Sequence, residues 1–325
     1  MALGDLLKTI ALPENQPNLI RMDRLGNFWV TNFDGTNSHL ECVTPAGSVI
    51  VNITLGTGTV GGLSVDKVND FVYVSYGSGG SSYYKYNLSG TLLNTVYGGP
   101  GVGSVACNNA GDYAVVTVGN YVNYYNISNV SYFGGSFIEY YPTGGNSAGP
   151  IVDLVVHSSG DLFMVDQGNG CVTRAHKTDT QASDATYITI TGASNISSIA
   201  IDSNGYIWVT DNGNGKMYKI NPATNTVVAT TTFAVSLDYL CTDSAKNVWS
   251  NGMYGGGVFY CYDTIGAALR FTGHPSYPQF KSVVCDSTNN LWGVSHAIGN
   301  GWLTEYQGYV AAPPPITKKN TLQIF

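Results

Sequence analysis

Short runs of aliphatic, β-branched and aromatic residues alternate along this chain with turns rich in Gly, Asn, Asp and Ser, and the alternation recurs on a fixed period. In the clearest copy, Ile199-Ala-Ile-Asp202 leads through Ser-Asn-Gly205 into Tyr206-Ile-Trp208-Val-Thr-Asp211. Apolar residues at alternate positions predict half-buried strands, and the Ser-Asn-Gly cluster predicts a tight hairpin between them. A Gly-rich turn, Asn212–Gly215, then precedes a strand over Lys216–Asn221, and Pro222–Asn225 precedes a strand over Thr226–Phe233. One unit is therefore four strands joined by hairpin turns.

Six further copies lie under this one. Their anchor positions are Asp23, Asp66, Asn108, His157, Asp243 and Asp286, so successive anchors along the chain are 43, 42, 49, 45, 41 and 43 residues apart. An aromatic residue follows most anchors at near-constant distance: Trp29, Tyr73, Phe163, Trp208, Trp249 and Trp292. A period of this length built from short strands marks a propeller or a solenoid. Four antiparallel strands per unit favour the propeller, whose blades cover one another's edges. The last unit supplies only three strands, at Lys281–Asp286, Leu291–Ser295 and Trp302–Gln307, and the N-terminal run Leu6–Leu12 is the natural fourth. The expectation is an all-β, seven-bladed β-propeller of four-stranded antiparallel blades over residues 1–308, closed by the N-terminal strand. An extended tail over 309–325 follows.

Composition narrows the functions open to such a ring. Only 11% of residues are charged, the net charge is −7, and the 14 Lys and Arg are scattered. No basic stripe exists to neutralise phosphates, which excludes nucleic acid as a partner. No run approaches 18 apolar residues, so no membrane span is expected. The first residues lack a basic region followed by an apolar core, which predicts synthesis in the cytoplasm without a signal peptide. Cys107, Cys241 and Cys285 fall in innermost strands, and the six cysteines are expected as free thiols.

In a propeller, the loops after each second strand gather on one face around the channel, and loops on a rigid scaffold are where binding resides. The residues ending the second strands include Asn32, Asp166 and Asp211, with His296 next to the last of them. Asp153 and Asp238 stand near the channel-side starts of the fourth and sixth units. Asp166 and Asp211 match in register, which makes a channel Ca²⁺ or Mg²⁺ the cofactor candidate. The competing reading is that a carboxylate at a strand end caps the following turn. The anchor Asp residues are expected to accept turn amides, and the periodic aromatics to wedge neighbouring blades apart.

Three Tyr pairs, Tyr83-Tyr84, Tyr124-Tyr125 and Tyr140-Tyr141, each turn one ring outward if both members lie in one strand. With Asn32 and His296 they form the expected binding surface for a protein or a cell-surface glycan. Pro313, Pro314 and Pro315 stiffen the tail, and the alternation of Leu322, Ile324 and Phe325 suits docking as an added strand. The usual catalytic patterns are missing: no Gly-x-Ser-x-Gly, no His-Glu-x-x-His, and no Lys in the Gly-rich stretches. The five His residues stand without a sequence-local acid partner.

The pattern Ile-Ala-x-Asp-x-x-Gly-x-x-Trp-Val-Thr-Asp at Ile199–Asp211, echoed at Leu19–Asn32, resembles the NHL-repeat and virginiamycin B lyase-like propellers. It covers most of residues 6–308. For the lyases of that group the resemblance implies Mg²⁺ with a Glu and His residues in one late blade. The late blades here offer Glu305, His274 and His296, and Glu305-Tyr-Gln-Gly has no His at the short spacing. Lactonase-type propellers imply a channel metal, for which Asp166, Asp211 and Asn32 are the nearest match. The favoured function is a non-enzymatic binding or scaffold propeller that presents its loops to a partner in a larger assembly. Low charge and abundant Gly, Asn, Ser, Thr and Tyr resemble the structural proteins of phage particles, which places it in a virion. The alternatives are a metal-dependent lyase or lactonase-like hydrolase acting at the channel mouth, and a cytoplasmic sensor or adaptor propeller.

Overall fold

Every strand of the chain finds its partners within its own repeat, except at the point where the two ends meet. The computed structural model describes residues 5–77, 81–99, 103–107, 113–118, 121–126, 138–139, 151–176, 185–233, 236–252, 258–262, 268–272, 280–297 and 300–308. Its strands form seven four-stranded antiparallel sheets. The first sheet runs Leu19–Met22, Phe28–Phe33, Ser38–Val43, Val49–Gly56, and the second Thr59–Asp66, Phe71–Gly77, Ser81–Asn87, Leu92–Gly99. The third is Val105–Cys107, Tyr113–Val118, Tyr121–Asn126, Ile138–Glu139, and the fourth Ile151–Val156, Leu162–Asp166, Cys171–Ala175, Thr186–Thr189. The fifth is Ile196–Ile201, Ile207–Asp211, Lys216–Asn221, Thr226–Thr232, and the sixth Leu237–Thr242, Val248–Gly252, Val258–Tyr262, Ala268–Thr272. In the last sheet Phe280–Cys285, Leu291–Ala297 and Asn300–Tyr306 are completed by Leu6–Ala11, with Thr9 opposite Thr304 and Ala11 opposite Trp302.

The first strand of each sheet is innermost, and each of these strands touches the next around a closed cycle. Leu19–Met22 packs against Thr59–Asp66 on one side and against Phe280–Cys285 on the other. The picture of seven like blades needs correction at the third sheet. Its innermost strand has three residues and its outermost two. The third repeat carries neither the anchor Asp nor the following Trp. Hydrophobic seams are described between six of the neighbouring blade pairs, all but the second and third.

What makes each innermost hairpin is visible at its turn. Asp23 Oδ1 accepts from the N–H groups of Leu25 and Asn27, both at 2.9 Å, and Oδ2 accepts from the Trp29 indole at 3.2 Å. Asp202 repeats this with Asn204, Tyr206 and Trp208. Asp243 and Asp286 likewise bind their turn amides and the indoles of Trp249 and Trp292. In the second blade, where Tyr73 replaces Trp, Asp66 keeps the turn amides of Val68 and Asn69 and adds the Asn69 side chain. In the fourth, His157 stands in with its Nδ1 against the Ser159 N–H. The backbone of these turns passes through the left-handed region, where a Cβ is costly. Gly26, Gly160 and Gly205 sit there at φ of 83°, 89° and 82°, and Asp70, Lys246 and Asn289 occupy it in the other blades at 62°, 75° and 66°.

The indole that the Asp holds is also the wedge between blades. Trp29, Trp208, Trp249 and Trp292 are each buried in the seam with the next blade, as is Phe163 in the fourth. Among the described residues no helix is long and apolar enough to cross a membrane.

Two stability measurements check this account. Asp243→Ala leaves the buried Trp249 N–H and the Asn247 amides without an acceptor. It should lower unfolding free energy by about 3 kcal/mol in denaturant titration. Lys246→Gly removes a side chain from an exposed left-handed position and should raise stability by about 1 kcal/mol.

Candidate functional site at the channel mouth

At the same place in five blades the innermost strand slips its register. The shift lies between Val60 and Gly62, Ile151 and Asp153, Ile196 and Ser198, Leu237 and Leu240, and Phe280 and Ser282. A bulge leaves an extra residue unpaired, bends the strand and re-aims its side chains. Here the bulged segments, with Arg21 of the first blade, line a polar cavity of about 260 Å³ at the axis. The blades crowd closely beside it. A Cβ on Gly62 would stand 2.6 Å from the backbone nitrogen of Val105 in the next blade, so only Gly fits.

The charges in this mouth are fixed by the bulges that carry them. Asp153 Oδ2 accepts from Ser198 Oγ at 2.9 Å and from the Ile199 N–H at 3.1 Å, while Oδ1 accepts from the Leu154 N–H at 2.9 Å. Ser198 Oγ in turn accepts from the Leu240 N–H at 3.2 Å, so one polar chain crosses the fourth, fifth and sixth blades. Burial raises the Asp153 pKa, opposed chiefly by the Arg21 guanidinium and then by these hydrogen bonds. Asp238 is pushed up to about 6, first by burial, with Lys281 pulling it down and Asp153 adding to the rise. Tyr239 beside it is pushed up to about 12 by burial and by the two carboxylates. The mouth is thus a small polar socket with a cation, two carboxyls and a phenol, suited to holding a polar group.

The strand-end residues have other occupations. Asp211 is fully buried and accepts from the N–H groups of Ser194, Asn195, Gly213 and Asn214, from the Asn214 side chain and from Tyr218 Oη. Burial opposes its ionisation, but these hydrogen bonds outweigh it and its pKa falls. Asp166 accepts from the Asn169 N–H and side chain. The turn-capping reading describes both better than a channel metal does. Asn32, expected on the binding surface, is 2% exposed. Its amide donates to the Glu14 carbonyl at 3.0 Å and to Glu41 Oε2 at 3.4 Å, making it an internal bridge. Burial pushes the Glu41 carboxyl up to about 7, with Asn32 opposing and Glu14 reinforcing.

Tyr83 is buried, and Tyr84 is half-buried with its ring 6.1 Å from Tyr76 and 6.2 Å from Tyr86. The alternation puts one ring of this pair outward, and Tyr84 is that ring, partly covered by neighbouring tyrosines. The backbones of Tyr124 and Tyr125 pair with Val115 and Ala114, and that of His296 with Gly301. Tyr140, Tyr141 and the tail residues Pro313, Pro314, Pro315, Leu322, Ile324 and Phe325 lie outside the described residues, as does His274. The histidines have no acid beside them in sequence, and folding supplies one to two of them. His39 Nε2 stands 3.1 Å from Asp34 Oδ2 across one hairpin, and His176 pairs with Asp161. Glu305 is held by the Asn290 amide at 2.8 Å. Sequence reasoning passed over Arg21, although a lone cation in the inner strand Leu19-Ile-Arg21-Met is its own signal.

No protein-family model matches the chain, and no sequence match appears among curated proteins. Solved structures match its fold. A catalytically inactive virginiamycin B lyase from Staphylococcus aureus, crystallised with quinupristin, superposes at a TM-score of 0.74 with 13% identity. The match covers 92% of this chain and 98% of that one. The WD40 propeller domain of Doa1 gives 0.70 at 13% identity over 94% and 97%. A chain of the mitotic checkpoint complex gives 0.74 at 13% identity over 94% and 93%. The likeness is to the β-propeller fold, which serves a lyase in one case and a member of a protein complex in another.

The Asp238 carboxyl makes a pH-dependent prediction. Its pKa is raised in the folded state, so the fold binds the proton more tightly than the unfolded chain does. Its contribution therefore weakens as pH rises from about 4 to about 6. Asp238→Asn should gain on the native chain across that window, by on the order of 2 kcal/mol at pH 7, read as the difference between denaturation midpoints.

Proposed function

We propose that this protein is a non-enzymatic binding propeller, a rigid disc that presents its channel-mouth face to a partner within a larger assembly. One observation supports this most. The Asp153 carboxylate at the mouth and the Asp166 and Asp211 carboxylates at the strand ends accept hydrogen bonds from the chain's own amides and hydroxyls, while Asp238 shares the mouth under the pull of Lys281. A carboxylate committed in this way holds loops in one shape and is a poor proton shuttle. The composition, low in charge and rich in Gly, Asn, Ser, Thr and Tyr, makes a virion structural component the reading we favour, with a host-surface glycan or protein as the ligand of the exposed face. The propeller of the mitotic checkpoint complex gives the same architecture a precedent.

The deciding experiment is native mass analysis of the material in which the protein accumulates, for the full chain and for a chain ending at Gly308. We expect the full chain in a particle of defined copy number and the shortened chain free in solution. A full chain that stays monomeric at micromolar concentration and opens a lactone or cyclic depsipeptide, with the rate lost in Asp153→Asn, would replace this reading with an enzymatic one.

A further inference from the structure

At one end of the first blade, outside the lining of the channel mouth, three groups of unlike chemistry converge. A carboxylate oxygen of Glu14, a carboxylate oxygen of Asp34 and a ring nitrogen of His39 all lie within 4.8 Å of one another. Each is delivered by a different piece of local structure. Asp34 opens the hairpin between the second and third strands, and its Oδ1 accepts from the N–H groups of Thr36 and Asn37 at 2.6 and 2.7 Å. That fixes the carboxylate and leaves Oδ2 directed at His39 Nε2, 3.1 Å away. Glu14 belongs to the segment that enters the first blade, whose backbone is held to the second strand through Gln16 and Phe33 at 3.1 and 3.2 Å.

The buried side of this cluster contains polar atoms that the protein leaves unanswered. His39 is 7% exposed and Glu41 is fully buried, yet His39 Nδ1 and Glu41 Oε1 have no hydrogen-bond partner. Two residues apart in one strand, their side chains lie on the same face of the sheet. Asn32, opposite His39 in the register, ties Glu41 Oε2 to the backbone of Glu14. A buried carboxylate oxygen left without a partner costs on the order of 1–3 kcal/mol, and in native proteins such an atom is answered by water, an ion or a ligand.

From this arrangement we propose that Glu14, Asp34 and His39, backed by Glu41, form a binding site for one divalent transition-metal ion. An imidazole nitrogen with two or three carboxylates is a donor set for Zn²⁺ or Mn²⁺, where Ca²⁺ and Mg²⁺ prefer oxygen alone. Donors on one such ion stand about 3 Å apart, so the Asp34–His39 pair already has the spacing, with a Glu14 oxygen within 4.8 Å of both. Glu14 and Asp34 are half-exposed, which leaves coordination positions open to water or a ligand. The site is separate from the channel mouth and independent of the binding role proposed above.

Zn²⁺ is the probe. The full chain, stripped with chelator, is titrated by competition against a fluorescent zinc indicator, and Co²⁺ substitution is followed by its visible absorption. We expect one equivalent bound with micromolar or tighter affinity, and a Co²⁺ spectrum of mixed nitrogen and oxygen ligation. Glu14→Gln and His39→Gln should each weaken binding by roughly tenfold or more, with melting temperatures in chelator close to the native chain. His176→Gln, which alters an exposed histidine elsewhere, should leave the affinity unchanged. No binding at 100-fold protein excess over the indicator, or binding that survives both Glu14→Gln and His39→Gln, would overturn the assignment. If His39→Gln proves unstable, Glu14→Gln alone decides, since Glu14 lies at the surface.

Discussion

The carboxylate that closes the innermost hairpin in five blades is the interaction on which the rest of this molecule depends. The tight turn of such a hairpin aims its amide donors at a buried or half-buried carboxylate, and a buried polar group left without a partner is costly. One Asp answers two of them and the indole of the following strand at once. Because that indole also fills the seam with the next blade, the same carboxylate sets turn geometry and blade spacing together. Where the residues change, the arrangement adapts. His157 keeps its turn and reaches across to the Gly205 carbonyl of the next blade, doing with an imidazole what Asp does elsewhere with a carboxylate.

Those well-anchored turns lie at the far ends of the innermost strands, and this explains where the irregularity goes. A strand pinned at one end by its turn and flanked on both sides by neighbours can absorb an extra residue only at its free end, at the channel mouth. Five blades do so. The bulges turn Asp153, Ser198 and Asp238 toward the axis, and hydrogen bonds between neighbouring bulges then stitch the mouth across blades. The cavity is thus a product of strand geometry as much as of the side chains that line it.

Much of this was legible before any coordinates. The period, the four-strand grammar, the N-terminal closing strand and the Asp-to-turn contact all follow from spacing and turn chemistry. The indole bond was missed because Asp and Trp six residues apart are drawn as separate features, one of a turn and one of a core. Arg21 and the register shifts were not legible, since a bulge leaves no composition signal and reverses which alternate residues face the axis. Asp211 was read both as a ligand and as a cap, and only counting its donors decides. His39 and Asp34 are five residues apart, and the hairpin between them brings together what a search for adjacent pairs passes over. The outward Tyr of the Tyr83-Tyr84 pair is exposed only in part, for a different reason. Strand alternation fixes the direction of a ring, but neighbouring aromatics decide whether it meets water.

The cluster of Glu14, Asp34 and His39 and the closure of the ring share one piece of chain. The Leu12 N–H donates to the Gly301 carbonyl in the last blade at 2.9 Å, and six residues on, the Asn18 N–H donates to Thr31 in the first. Glu14 lies between these two attachments, so close to the last blade that a Cβ on Gly301 would run into its carbonyl. A propeller opens most readily where its two termini meet, because only side chains and one strand's ladder hold that seam. An ion bound by Glu14 from this connecting segment, and by Asp34 and His39 from the first blade, would add a bond across the turn by which the closing strand enters the ring. Binding to the closed form alone adds RT ln(1 + [L]/Kd), about 2.7 kcal/mol at a hundredfold excess over Kd. Occupancy of that site would therefore be coupled to ring integrity, with no conformational change in the blades themselves.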